Sequence, residues 1–351
     1  MKAVVLQERG GLAVEEVTRA GLERSTDALV RVTTAAVCGS DVHIRHGVIP
    51  GVPPGTIMGH EFVGVVDAVG EDVTRFRRGD RVAAPAAIWC GLCPACRRGE
   101  VQNCEKGQVW GGGEIFGRGL PGTQAEFVRV PRADLVLTPI PDSVPDERAV
   151  FVGDMLSTGY HAAHEGGIKA GDAVAVYGCG PVGLSALVSA WQFGPRQVFA
   201  VDMLDNRLAA AEAYGAVPID ARQGDPAGQI RAATAGEGVD VALEAIGHPD
   251  SFAGAVRSVR RGGSVSVVGL FPGAVEFPLN DLVFYGLNVS MGLGNLSRMP
   301  QLMGLVEEGR IDPGPLATHR FALEDAVEAY ELFETRKDEC LKVLLQPGTV
   351  A

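Results

Sequence analysis

The second half of the chain alternates apolar strand-like runs with helical stretches. DAVAVYG and QVFAVD have the length and the β-branched content of strands that are buried on both faces. Each is followed by a helical stretch, PVGLSALVSAWQF after the first and DNRLAAAEAYG after the second. Strands that alternate with helices of this length predict a doubly wound parallel sheet. Three later strands are expected at VDVALEAIG, GGSVSVVGL and LNVSMGLG.

Residues 1–150 have a different pattern, because Gly and Pro interrupt short β-branched runs. These runs predict a mostly β domain of short strands and turns. After residue 295 we expect an amphipathic helix, FALEDAVEAYELFETR, and a last strand, CLKVLLQ, that returns to the first domain. The predicted organisation is thus 1–154 for the first domain, 155–294 for the second and 295–351 for the return. The β-branched runs are ALVRVTTAAV, EFVGVVDAVG, DRVAAPAAI and AEFVRVPRADLVL.

The composition is typical of a globular protein, with 46% apolar and 21% charged residues. A net charge of −12 argues against nucleic acid or an anionic membrane as a partner, because phosphate binding needs clustered Lys and Arg. The chain has no apolar run of the length that a transmembrane helix needs. Its start, MKAVVLQERG, lacks the apolar region and cleavage site of a signal peptide. A cytoplasmic location is therefore expected.

Four of the seven cysteines lie close together in CGLCPACRRGEVQNC. In a reducing compartment such a cluster indicates metal ligands rather than disulfides. An iron–sulfur cluster is the alternative, but the ferredoxin pattern has its fourth cysteine three residues on and before proline, unlike this one. A shell of four thiolates leaves no position open for substrate, so we predict a structural zinc site in a lobe at about 88–108. Its predicted ligands are Cys90, Cys93, Cys96 and Cys104.

A glycine motif, GCGPVG at 178–183, stands between the first strand and the first helix of the second domain. Asp202 ends the next strand about 20 residues further on, which completes the dinucleotide fingerprint. The pyrophosphate is expected at the helix N-terminus. Asp202 is expected to bind the ribose hydroxyls of NAD and to repel the 2′-phosphate of NADP, and no arginine follows immediately to accept that phosphate. The predicted cofactor-binding residues are Gly178, Gly180, Pro181, Val182, Gly183 and Asp202.

Two further stretches are VCGSDVHIRHG at 37–47 and MGHEFVGVVDAVG at 58–70. Together with GDMLSTGYHAA at 153–163, the cysteine cluster and the glycine motif, they resemble the zinc-dependent medium-chain alcohol dehydrogenases. The resemblance covers essentially the whole chain, and the motifs follow the order of that family. It implies a GroES-like catalytic domain that carries the structural zinc lobe, a Rossmann domain that binds NAD, and two zinc ions per chain.

The resemblance assigns the catalytic zinc to Cys38, His60 and Asp154, with a fourth position left open. Many relatives have Cys as the third ligand, whereas bacterial secondary-alcohol dehydrogenases have Asp. From the residues alone, Asp154 would rather be taken as a helix N-cap. Asp41 resembles the carboxylate that accepts the other ring N–H of the zinc-bound histidine, and Glu61 resembles a carboxylate that approaches the metal during ligand exchange.

Ser40 and His43 resemble the proton relay of the family. Ser40 is expected to take the hydroxyl proton of the alcohol, and His43 is expected to hand it to water, because the pKa of histidine lies near neutrality. Trp110 resembles an aromatic wall of the substrate pocket in some bacterial relatives. A tryptophan that packs the core is the alternative.

The function implied by the resemblance is the reversible oxidation of an alcohol to an aldehyde or ketone by hydride transfer to NAD. A polyol, amino-alcohol or aldehyde dehydrogenase on the same scaffold is the alternative among enzymes. A cofactor-binding scaffold or sensor without catalysis is the alternative outside them. The expected partner is a small alcohol or carbonyl compound. The apolar stretch LNVSMGLG near the sheet edge, with the tetrameric state common in bacterial relatives, indicates a homotetramer, and a dimer is the second choice.

Overall fold

The structure is a computed structural model that describes residues 1–113 and 119–348. The chain divides into two compact units. Unit 1 consists of Met1–Asp154 and Asn295–Ala351, and unit 2 consists of Met155–Gly294. Unit 2 contains a parallel sheet with helices between its strands, and unit 1 is built mainly of antiparallel strands. The predicted α/β fold class is confirmed.

The first segment of unit 1 contains most of its strands. The long strand ALVRVTTAA is central, because it pairs with neighbours on both sides and most of its side chains are buried. The strands are β1 (Lys2–Leu6), β2 (Leu12–Glu16), β3 (Ala28–Ala36), β4 (Phe62–Val69), β5 (Arg81–Ala84), β6 (Ala87–Ile88), β7 (Gln108–Val109), β8 (Phe127–Val130) and β9 (Thr138–Pro139). The helices are α1 (Gly39–Arg45), α2 (Pro94–Arg97), α3 (Ala133–Val136) and α4 (Asp146–Ala149).

Prolines interrupt two of the predicted β runs. DRVAAPAAI forms β5 and β6 with a break at Pro85, and AEFVRVPRADLVL forms β8, after which Pro131 and Arg132 lead into the short helix α3. Proline has no N–H for a strand ladder, and Arg132 has a φ of 56°, in the left-handed region. A β-branched composition therefore did not suffice to extend either strand.

Unit 2 has the strand order of a Rossmann fold. Its six parallel strands are arranged β12-β11-β10-β13-β14-β15, so the order reverses between β10 and β13. Ligands of such sheets bind outside the carboxyl ends of the strands at this switch point. The strands are β10 (Ala173–Tyr177), β11 (Gln197–Asp202), β12 (Val217–Asp220), β13 (Val239–Glu244), β14 (Val259–Val267) and β15 (Asn288–Met291). The helices are α5 (Met155–Glu165), α6 (Pro181–Ala190), α7 (Asp205–Ala213), α8 (Pro226–Ala233), α9 (Pro249–Ser258) and α10 (Leu279–Leu282).

The return segment completes the main sheet of unit 1. It contains α11 (Met299–Glu307), β16 (Ala317–Ala322), α12 (Ala326–Thr335) and β17 (Lys342–Gln346). Strand β17 pairs antiparallel with the end of β3, where Leu345 lies opposite Ala35. The backbone N–H of Val37 also donates to the carbonyl of Val343 at 3.0 Å. This pairing brings the start of β17 beside the residues that follow β3.

Each unit has its own apolar core. Val30, Phe62 and Leu345 are buried in unit 1, and Phe199 and Val265 are buried in unit 2. No helix in the described ranges, 1–113 and 119–348, is both long and apolar enough to cross a membrane.

Candidate active site and metal centres

The four clustered cysteines face one another in the lobe that follows β6. Their sulfur atoms lie within 4.8 Å of one another, and Cys93 Sγ is 3.5 Å from Cys96 Sγ and 3.9 Å from Cys104 Sγ. A tetrahedral zinc site with Zn–S bonds of about 2.3 Å requires sulfur atoms about 3.8 Å apart. The cysteines are free, since a disulfide requires an S–S separation of about 2.05 Å. The four thiols therefore fit a zinc ion.

The start of helix α2 and the backbone N–H groups before it hold these thiols close together. Cys93 caps α2, whose first residue is Pro94, and the backbone N–H groups of Leu92 and Cys93 donate to Cys90 Sγ at 3.4 and 3.3 Å. These two donors lower the pKa of Cys90 to about 6. Burial and hydrogen bonds to neighbouring thiols raise the pKa of Cys96 to about 12. Ionisation of all four thiols thus needs a cation among them, which zinc supplies.

A second group of possible metal ligands lies entirely within unit 1. One ligand atom from each of Cys38, His60, Glu61 and Asp154 lies within 4.8 Å of the other three. His60 Nε2 is 3.5 Å from Asp154 Oδ2, and Cys38 Sγ is 3.8 Å from the same oxygen. The structure therefore brings together the three residues that the resemblance assigned to the catalytic zinc, with Glu61 beside them.

Three segments distant in sequence supply these side chains. Cys38 follows β3 and caps α1, and His60 and Glu61 precede β4 directly. Since β3 and β4 are antiparallel neighbours, the end of one lies beside the start of the other. Asp154 lies at the junction before α5, and its carboxylate faces Cys38 and His60.

The charges around His60 fit a cation at this site. His60 is 6% exposed, with Asp41 Oδ1 3.2 Å from Nδ1 and Asp154 near Nε2. Burial opposes a charge on the ring, but Asp41 and Asp154 outweigh it and raise the pKa of His60 well above its ordinary value. Burial raises the pKa of Asp154, but the contact with His60 outweighs it and lowers that pKa to about 2. An imidazole between two carboxylates and a thiol is a suitable setting for Zn²⁺.

Asp41 holds the beginning of α1 as well as His60. Its Oδ2 accepts the backbone N–H of Cys38 at 2.9 Å, which forms a capping box with the Cys38 side chain. Oδ1 faces His60 Nδ1, as the resemblance implies for a partner that fixes the histidine tautomer. The same carboxylate therefore positions both Cys38 and His60.

Glu61 forms a buried ion pair that the sequence did not indicate. Lys342, the first residue of β17, places Nζ 2.7 Å from Glu61 Oε2 and 3.0 Å from Oε1. Lys342 is 1% exposed and Glu61 is fully buried. A buried charge is tolerated when it is paired and hydrogen-bonded. Lys342 reaches Glu61 because β17 pairs with β3. The sequence could have indicated this ion pair only through a prediction of that strand pairing.

Ser40 lies next to the ligand atoms. Its Oγ is 3.2 Å from Cys38 Sγ and 3.3 Å from His60 Nε2. His43 is one turn further along α1 and is partly buried. Partial burial and the neighbouring His46 lower the pKa of His43. Ser40 therefore adjoins the candidate metal centre, and the lowered pKa of His43 favours the neutral imidazole.

Trp110 lies in the apolar core of unit 1. It is 1% exposed and packs edge-on against Phe62, with ring centroids 5.6 Å apart. This position supports the packing alternative, and we propose core packing rather than substrate contact as its role.

The glycine motif forms the turn from β10 into α6. Gly178 has a φ of 90°, and a Cβ on Gly183 would overlap the carbonyl oxygen of Gly178, so both positions need glycine. Gly180 caps α6, and Pro181 and Val182 are its first residues. The backbone N–H groups at the start of α6 are thereby available for a phosphate.

Asp202 lies at the carboxyl end of β11, beside this loop. Its Oδ2 accepts the N–H of Cys179 at 2.8 Å, and its Oδ1 accepts the N–H of Met203 at 2.7 Å. Arg207 Nη1 is 3.6 Å from Asp202 Oδ2. No arginine follows Asp202 immediately in sequence, but the first turn of α7 brings Arg207 beside this carboxylate.

Comparisons with known proteins place the chain in a family. Residues 24–142 match the family model "Alcohol dehydrogenase GroES-like domain", and residues 181–308 match "Zinc-binding dehydrogenase". The chain is 34% identical to a zinc-type alcohol dehydrogenase-like protein of Bacillus subtilis, over 99% of this chain and 100% of that one. It is 36% identical to an alcohol dehydrogenase of Cupriavidus necator, over 99% of both chains.

The fold is also that of a solved structure. The alcohol dehydrogenase TADH from Thermus sp. ATN1 superposes with a TM-score of 0.94 at 43% identity, over 99% of this chain and 100% of that one. Sequence identity over the full length and agreement of both units with this fold show common descent. The chain belongs to the zinc-dependent medium-chain alcohol dehydrogenase family.

Proposed function

We propose that this protein oxidises an alcohol reversibly to an aldehyde or ketone by hydride transfer to NAD. The observation that carries the proposal is the convergence of Cys38, His60 and Asp154 on one point, with the Ser40 hydroxyl beside them. The glycine motif and Asp202 at the switch point of unit 2 support a dinucleotide as the hydride acceptor.

Cys38, His60 and Asp154 would hold a catalytic zinc ion, and the four cysteines of the lobe would hold a structural one. A thiolate and a carboxylate together balance the charge of Zn²⁺, so a third anionic ligand is not required. When bound, the catalytic zinc supplies Lewis acidity that lowers the proton affinity of an alcohol hydroxyl. Glu61 would bind the catalytic zinc only transiently. Its ion pair with Lys342 holds the Glu61 carboxylate beside His60.

The protein's own groups would move the proton. Ser40 Oγ would accept the hydroxyl proton of the substrate as it releases its own proton, which His43 would take up. His43 would pass the proton to water, since its lowered pKa keeps the imidazole neutral and able to accept near pH 7. Asp41 would hold His60 in the tautomer that carries its proton on Nδ1.

An assay across substrate classes tests the proposed function. NAD reduction is measured with primary alcohols, secondary alcohols and polyols, and zinc is counted per chain. We expect turnover with a simple alcohol and two zinc ions. A strong preference for polyols, amino alcohols or aldehydes would favour the alternative on the same scaffold. Absence of turnover with every class, in protein that carries both zinc ions, would favour a cofactor-binding scaffold.

Asp202 should determine the choice of cofactor. The double variant Asp202→Ser/Met203→Arg should shift preference toward NADP, because it removes a charge that repels the 2′-phosphate and adds one that pairs with it. Arg207 already lies beside Asp202 and would add to this effect. Hydrogen bonds to charged groups contribute about 1.5–3 kcal/mol, so the ratio of kcat/KM for the two cofactors should change by about 10–100-fold.

The matched control is Asp205→Ser, which removes an exposed carboxylate three residues further on. Its cofactor ratio should remain that of the parent. Equal use of NAD and NADP by the parent would contradict the role of Asp202.

We propose a homotetramer, with a dimer as the second choice. Strand β15 is the edge of the unit 2 sheet, and apolar side chains near it are exposed. Phe284 is 77% exposed and Met291 is 73% exposed. An uncovered edge strand beside apolar side chains favours pairing with a second copy of the chain about a twofold axis.

Phe284→Glu/Met291→Lys should therefore dissociate the oligomer, whereas Leu22→Lys, at an exposed leucine of unit 1, should not. Sedimentation at micromolar concentration measures both. A monomeric parent would overturn the proposal.

We also propose a reducing, cytoplasmic location, which the free thiols of all seven cysteines support.

A further inference from the structure

Gln124 is a fully buried amide whose hydrogen-bonding groups are all in use. Its Nε2 donates to Asp41 Oδ2 at 3.3 Å and to the carbonyl of Ala36 at 3.2 Å. Its Oε1 accepts from the hydroxyl of Tyr330 at 2.8 Å. Tyr330, from α12 of the return segment, is also fully buried. These contacts link the return segment to Asp41 through a single amide.

The chemistry of the neighbours fixes the orientation of this amide. Reversal of Gln124 would place its oxygen against the Asp41 carboxylate and the Ala36 carbonyl, which are both acceptors. The tyrosine hydroxyl can donate only while Oε1 faces it. Burial and the nearby Asp41 raise the pKa of Tyr330 well above its ordinary value, so the hydroxyl keeps its proton. The amide therefore has one satisfied orientation.

The same residue supports the turn that carries His60. The backbone N–H of Gln124 donates to the carbonyl of Met58 at 2.9 Å. Its side chain lies against Gly59, where an added Cβ would come within 2.5 Å of Gln124 Cγ. Gly59 also has a φ of 90°, so glycine is needed for conformation and for space. Gln124 thus contacts both the Asp41 carboxylate and the backbone before His60.

We propose that Gln124, held by Tyr330, is a positioning residue for the catalytic metal. It holds the Asp41 carboxylate so that Oδ1 stays 3.2 Å from His60 Nδ1 and His60 Nε2 is kept for the ion. The Asp41 carboxylate contacts two of the proposed ligands, because its Oδ2 also accepts the backbone N–H of Cys38. Rotation of this carboxylate would therefore disturb both Cys38 and His60. This inference rests on the proposed assignment of Cys38, His60 and Asp154 as zinc ligands.

The test measures zinc release into excess chromophoric chelator. The phase that belongs to the catalytic site is the one missing from Cys38→Ser protein. Gln124→Leu should accelerate this phase by about 10–100-fold, the usual effect of losing an outer partner of a metal ligand. Tyr330→Phe should accelerate it by about two- to tenfold, the factor for one net hydrogen bond. Both variants should change the visible absorption of cobalt at this site and leave release from the cysteine lobe unchanged.

Tyr177→Phe is the matched control, because Tyr177 is a buried tyrosine of unit 2 whose hydroxyl donates to the carbonyl of Gly254 at 3.0 Å. It should lower the melting temperature without changing zinc release. If Gln124→Leu does not fold, Tyr330→Phe decides the question. Zinc release and cobalt absorption equal to those of the parent in the folded variants would overturn the inference. If the parent has no phase that depends on Cys38, the zinc-site assignment itself has failed.

Discussion

Cys38→Ser should abolish alcohol oxidation and leave the fold and NAD binding largely intact. Serine is a poor zinc ligand, so the catalytic site loses one of three protein ligands and zinc should fall by one per chain. Loss of a ligand should reduce turnover by more than the roughly 10–100-fold that accompanies changes to outer partners of a metal site. Thermal melting, zinc content, NADH titration and NADH production measure the four quantities. The glycine motif belongs to unit 2 and Cys38 belongs to unit 1, so the substitution changes none of the predicted cofactor-binding residues and cofactor affinity should survive.

Cys340→Ser is the control for this experiment. Cys340 is a buried cysteine of the same unit, is 3% exposed and is not among the possible metal ligands. It should keep both zinc ions and most of the turnover. A Cys38→Ser protein with normal turnover, or with both zinc ions retained, would contradict the assignment of Cys38.

Cys104→Ser should instead act on stability. The cysteine lobe should lose its zinc, and the binding free energy of a structural zinc contributes directly to folding. For a domain of about 150–250 residues, a range that includes unit 1, each kcal/mol lost lowers the melting temperature by about 2–4 °C, so loss of several kcal/mol should give a clear shift. Surviving folded protein should keep much of its turnover, because the four thiols leave no position open for substrate.

Leu92→Ser changes an exposed side chain, 72% exposed, within the same lobe and should leave zinc content and melting temperature unchanged. A Cys104→Ser protein that is as stable as the parent but inactive would show that the two zinc sites had been assigned the wrong way round. The two cysteine variants therefore separate the structural site from the catalytic one.

The local features of this fold could be read from the sequence because short-range rules govern them. The alternation of strands and helices after residue 154 predicted the parallel sheet, since period and length are local properties. The spacing of Cys90, Cys93, Cys96 and Cys104 predicted thiols that face one another, because tight turns set their separation. The proline breaks at Pro85 and Pro131 were missed, although the missing N–H of proline is also a local signal.

The candidate catalytic cluster was predicted by a different route. Cys38, His60 and Asp154 are distant in sequence, and their spacing implies no common point. They could be named together only because their motifs resemble those of a known family. Asp154 illustrates this, because its position before a helix suggested a cap. Its carboxylate faces Cys38 and His60 in the structure.

The sequence by itself thus indicated the alternation of strands and helices in unit 2, the glycine motif, the cysteine cluster and the types of side chain available to bind metal and cofactor. Only the tertiary structure decided which buried charges and amides have partners. Lys342 reaches Glu61 because β17 pairs with β3, and Tyr330 reaches Gln124 because α12 packs in the core of unit 1. The physical reason is that such contacts depend on how whole elements pack across long stretches of chain, which no local period or spacing specifies.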